Sequence, residues 1–135
     1  MQSKQILTLE DARKIAAAGE AEAKLNNWAV TISIVDDGGH LLWLQRMDGA
    51  APLSTNMAQA KAKAAALGRR ETRIYEDMIN NGRFSFLSAP VLEGMVEGGI
   101  PIIVNGQCLG AVGVSGVKST EDVQIARAGI AALGV

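Results

Sequence analysis

The chain has 135 residues, 48% hydrophobic and 20% charged, which is enough apolar matter for one core and one domain over residues 1–135. Thirteen Lys and Arg against fourteen Asp and Glu leave a net charge of -1, without the basic surplus of a nucleic-acid binder or a polybasic membrane anchor. A single Cys108 and a single His40 exclude an intrachain disulfide, a Cys-rich zinc site and any protein-only site that needs two imidazoles.

Thr8 to Asp11 predicts a capped helix start, with its acids where the helix dipole favours them. Leu9, Ala12, Ala16, Gly19 and Ala23 continue it as a mostly small stripe to about Asn26-Asn27. From Trp28 the period becomes two. Trp28, Val30, Ile32 and Ile34 point one way, giving a strand with one strongly apolar face. Asp36-Asp37-Gly38-Gly39 is a turn, and His40 to Met47 a returning strand. Leu41 to Leu44 are apolar on both faces, as in a sheet with helices on one side and a partner chain on the other.

Asp48 to Pro52 breaks the strand, and Ser54 is the expected cap of a second helix. Its stripe is Met57, Ala60, Ala64 and Leu67, closed by Gly68. Thr72 opens a short helix to about Asn80. Residues 83–99 read as an ordered loop with a helical turn around Val91 to Met95. Ile100 to Val104, Asn105-Gly106 and Leu109 to Ser115 form a second hairpin. Ser119 to Asp122 repeats the capping pattern, and Val123, Ala126, Ile130 and Leu133 carry the last stripe. The order α-β-β-α-α-β-β-α predicts an α+β domain with a largely antiparallel sheet. The first residues lack the apolar core of a secretory signal, and no stretch has the length of a membrane span. The expected location is cytoplasmic, with neither membrane nor nucleic acid as partner.

No phosphate-binding loop, zinc-protease helix or nucleophile elbow is present. Asp36, Asp37 and His40 could meet on a metal, although turn aspartates commonly hold their own backbone. His40 suits an iron ligand or a general base, and equally an exposed polar residue at a strand start. Cys108 reads as a half-buried small apolar residue rather than a nucleophile. Met47 and Met57 are soft axial donors or core residues. Gly98, Gly99, Gly110, Gly113 and Gly116 call for close approach by a helix, a flat ligand or a subunit. Lys61, Lys63, Arg69 and Arg70 form a basic cluster that is either a solvated face or a carboxylate contact.

Four segments together carry a family resemblance. They are Val35-Asp36-Asp37-Gly38-Gly39-His40-Leu41-Leu42, Arg46-Met47-Asp48-Gly49-Ala50-Ala51-Pro52, the run from Ala60 through Gly68-Arg69-Arg70-Glu71-Thr72, and Glu97-Gly98-Gly99-Ile100-Pro101-Ile102 through Gly110 to Gly116. They resemble the GlcG/HbpS family of haem-binding and haem-degrading proteins over nearly the whole chain. That resemblance implies a profilin-like fold, an antiparallel sheet with helices packed on it. It also implies a homo-oligomer from dimer to octamer, haem as cofactor, and association with glycolate and other small hydroxy-acid utilisation. The family's axial ligands differ between members, so the iron ligand is nominated from coordination chemistry. His40 is the metal ligand on that basis, with Met47, Lys61, Arg69, Gly98, Gly99 and Gly113 as further cofactor-binding residues. A rival reading is an enzyme or accessory factor for small hydroxy- or oxo-acids using His40, Asp37, Lys61 or Glu71. A third is a structural oligomer without haem.

Overall fold

Runs of Val, Ile and small residues extend into four strands, and the computed structural model, which describes residues 1–135, joins them into one antiparallel sheet. The elements are α1 (Leu9–Leu25), β1 (Thr31–Asp36), β2 (Leu41–Arg46), α2 (Leu53–Gly68), α3 (Thr72–Asn80), a 3-10 turn (Phe84–Ser88), β3 (Gly99–Val104), β4 (Gln107–Ser115) and α4 (Ser119–Ala131). Sheet order is β2-β1-β4-β3, so the two hairpins meet through their central strands β1 and β4. The order of elements and the α+β class are as expected from sequence. No helix is long and apolar enough to cross a membrane.

The sheet has two unlike faces. On one, α1 and α4 lie side by side, and Ile15, Ile32, Ile34, Ile102, Val112 and Ile125 form the large-residue core. On the other, α2 lies over β4 and β1 through Ala62, Ala65 and Ala66, which meet Val35 and Ala111. Alanine lets the helix backbone come close. A Cβ at Gly113 would fall 2.1 Å from the Ala58 carbonyl oxygen and 2.5 Å from the Ala62 nitrogen.

Several expectations shift for one reason, the second helix layer. β1 is buried on both faces, with Thr31 and Ser33 fully covered by α2 instead of facing solvent. The Thr31 and Ser54 hydroxyls are 2.7 Å apart, so Ser54 is an interior residue of α2 and not its cap. The buried stripe of α2 is Ser54, Ala58, Lys61, Ala62 and Ala65, rotated from the predicted Met57, Ala60, Ala64 and Leu67; of these only Ala64 is buried. In α4 the buried face is Asp122, Ile125, Ala126 and Gly129. The 83–99 segment has its helical turn at Phe84–Ser88, ahead of the predicted Val91 to Met95.

Candidate functional site

Register fixes which residues share an end of the sheet. Asp36 pairs with Gly110 and Thr31 with Ser115, so the β1–β2 and β3–β4 turns lie together at one end. The last turn of α2 reaches the same end, because at Gly39 (φ +79°) a Cβ would stand 3.1 Å from Lys63 Cγ and 3.5 Å from Leu67. Asp36 holds the turn: its Oδ1 accepts from the backbone N–H of Gly38 at 2.9 Å and of His40 at 3.0 Å. Asp37 is held from two sides. Lys4 pairs with its carboxylate, and Arg69 donates to its carbonyl and to that of Ala66. The hydrogen bond from Lys4, helped by its charge, keeps the Asp37 carboxyl below the ordinary carboxylate range against a small desolvation effect. With both aspartates so occupied, the three-residue metal site with His40 does not form, and no cluster of His, Cys, Asp and Glu is arranged for a metal ion.

Lys4 also lines two adjoining hollows beside this turn, of about 500 and 470 Å³. The second has apolar walls from Ile6, Leu7, Val104, Leu109, Leu133 and Val135. His40 is exposed at the turn, and Lys63 and Arg69 are exposed on α2 and its cap. One end of the sheet thus carries the only imidazole, three cations and an apolar recess. That donor set fits haem, which needs a Lewis base, apolar walls and cationic partners for its carboxylates.

The other nominated residues lie elsewhere. Met47 follows the far end of β2, whose six residues at about 3.3 Å each put roughly 20 Å between it and His40. It is half-buried against the large-residue core. Lys61 is not part of a surface basic cluster: it is 3% exposed. Its Nζ donates to the Val114 carbonyl at 3.0 Å and to Asp122 Oδ2 at 3.2 Å. Asp122 Oδ1 accepts from the Val117 N–H at 3.3 Å. Lys61 belongs to α2 and Asp122 to α4, so the pair passes the sheet where β3 begins. Gly98 and Gly99 make that passage. A Cβ at Gly98 would be 2.6 Å from Lys61 Nζ, and one at Gly99 2.4 Å from the Lys61 carbonyl oxygen. Helix α2 and the lysine occupy the space beside Gly98, Gly99 and Gly113.

Burial pushes the Asp122 carboxyl up to about 6, although Lys61 and the Val117 N–H pull the other way. Sequence reading passed over Asp122 entirely. The available signal was its place three residues before the buried Ile125, together with the spacing Ser54, Ala58, Lys61, Ala65 that puts a lysine in a buried stripe. The acid–base candidates of the enzyme reading do not converge either. Asp37 is paired at the turn, Lys61 is interior, and Glu71 pairs with Arg127. Cys108 is buried rather than half-buried, its Sγ 3.4 Å from the Gly110 carbonyl oxygen.

Comparison with known proteins places this geometry in a group. The family model described as "Haem degrading protein HbpS-like" matches residues 7–131. Protein GlcG of Escherichia coli strain K12 is 56% identical over 115 residues, 85% of each chain. The crystal structure of Klebsiella pneumoniae protein ORFY is 33% identical, with a TM-score of 0.92 over 100% of this chain and 95% of that one. A solved PduOC–haem complex is 28% identical, with a TM-score of 0.82 over 95% of both chains. On sequence and fold alike, the chain belongs to the HbpS-like family.

Proposed function

We propose that the protein is a self-associating, cytoplasmic haem-binding member of this family, with haem held at the hairpin end of the sheet. The observation that carries the reading is the meeting there of exposed His40, the cations Lys4, Lys63 and Arg69, and an apolar recess. The PduOC relative, solved as a haem complex, supports haem as the class of ligand. His40 would supply the lone pair to iron, and the cations would face the propionates. Bound haem would supply a redox-active iron; the chain's own part is to orient the macrocycle and shield one face from water. The link to small hydroxy-acid utilisation rests on the family resemblance alone.

Haem titration followed at the Soret band tests this. The parent should bind, and His40→Ala should weaken binding at least tenfold and move the band. A parent that binds with the same spectrum and affinity as His40→Ala removes His40 from the site. A parent that binds no haem overturns the reading and favours the hydroxy-acid one.

A further inference from the structure

The two edges of the sheet are not alike. In β3, the Gly98 carbonyl accepts from the Val114 N–H and so points to β4; by alternation Gly99 and Pro101 point outward. The outward N–H of Gly99 is taken by Thr72 Oγ1 at 2.8 Å, and Pro101 has no N–H to offer. A register shift at Ile102/Ile103 interrupts the rest of that edge. This edge is closed to another strand by means of its own sequence.

Edge β2 has none of these closures. The Met47 N–H donates to the Val30 carbonyl at 3.0 Å, so Met47 faces β1, and Arg46 and Leu44 turn their N–H and carbonyl groups outward. No proline, cap or covering helix meets them. The side chains divide the same way. Trp43 donates to Gln45, and Gln45 to Glu20 of α1, so that face is tied down. Leu44 lies opposite Ser33 and Arg46 opposite Thr31, both of which face α2. Yet α2 sits over β4 and β1 and leaves this side of β2 bare. Leu44 is 37% and Leu41 51% exposed, and Arg46 makes no ion pair.

We infer that β2 pairs antiparallel with β2 of a second copy of this chain, joining two sheets into one of eight strands. The inference rests on the self-association in the proposed function and says where it happens. A two-fold axis keeps like faces together only if residues of the same parity are opposed. Centred on Leu44, the pairing lets each Leu44 exchange both backbone hydrogen bonds with the partner's Leu44, and sets Arg46 against the partner's Leu42. Arg46 then sits beside the partner's acidic Asp36-Asp37 turn. A second copy suits this edge because the strand carries its cation at one end and its acids at the other, so the antiparallel arrangement satisfies both at once.

Light scattering on the parent, on Leu44→Lys and on Ile103→Lys, a control at the closed edge, tests the assignment. The parent should be an oligomer, Leu44→Lys should halve the mass or lower it further, and Ile103→Lys should match the parent. Hydrogen exchange on the parent is the second measurement: the Leu44 and Arg46 amides should be protected in the oligomer and exchange freely on dilution to monomer. A parent that is monomeric at micromolar concentration overturns self-association itself, and the edge with it. An oligomeric parent whose Leu44 and Arg46 amides exchange freely, or whose mass survives in a folded Leu44→Lys, overturns the edge alone. Should Leu44→Lys fail to fold, the exchange measurement decides.

Discussion

Replacing Lys61 by Met should produce a loss of stability that depends on pH, and its size follows from the site. In the parent, Asp122 titrates at about 6 when folded and near 3.8 when unfolded. The folded state therefore holds this proton more tightly. The stability contributed by the group is fully present below the unfolded value and is lost as pH rises through the folded one. The difference of about two units corresponds to about 3 kcal/mol across that window. Methionine fills the volume of the lysine stem but removes the cation that keeps Asp122 ionised at neutral pH. The carboxyl then titrates still higher. At pH 8 the variant holds an uncompensated buried charge or takes up a proton against the solution, and the loss should be about 3–5 kcal/mol. At pH 5 the carboxyl is protonated in both proteins, and the loss should shrink to about 1 kcal/mol, the hydrogen bond to Val114. Urea unfolding at the two pH values reads the difference directly. Asp122→Asn introduced into Lys61→Met should flatten the dependence. Equal losses at pH 5 and pH 8 would refute the coupling between the two side chains.

Gly113→Ala puts a Cβ onto backbone of α2 and should cost about 3 kcal/mol in urea unfolding. Gly106→Ala meets nothing within 4 Å and should cost only about 1 kcal/mol, for its φ of +75°; comparable losses would mean α2 does not seat on Gly113. Of the turn glycines, Gly39→Val should lower stability by roughly 1 kcal/mol or more, since its φ is +79° and α2 is close. Gly38→Val should lose less, with only the movable His40 ring and Asp36 in contact; the reverse order in thermal melts would misplace the turn.

The elements were legible because their signals are local. The Asn105-Gly106 turn, the period-two run of β1 and the capping residues Thr8 and Asp11 each act within a few residues of chain. What escaped was set by layers far apart in sequence. Nothing near Ser33 or Thr31 says that an alanine-rich helix will cover them. Only the meeting of Lys61 with Asp122, 61 positions away, explains why a lysine lies in a buried stripe. The glycines show the same limit. Gly98, Gly99 and Gly113 were recognisable as points of close approach, but a helix and a flat ligand make the same demand on a backbone. His40 and Arg69 share an end of the sheet with the recess, while Met47 lies at the other, because strand length, invisible to motif matching, separates them.

The ion pair through the sheet bears on how the native state breathes. Helix α2 rests on the sheet mainly through methyl groups, and a layer with so little apolar area to lose is ordinarily the first to lift away as a partial opening. Here lifting it would strip Asp122 of its cation while the carboxylate stays inside the opposite layer. The outer layer with the weakest apolar grip is thereby tied to the rest of the molecule. Its amides, from about residue 57 to 66, should exchange only through global unfolding, so that the domain behaves as a single cooperative unit.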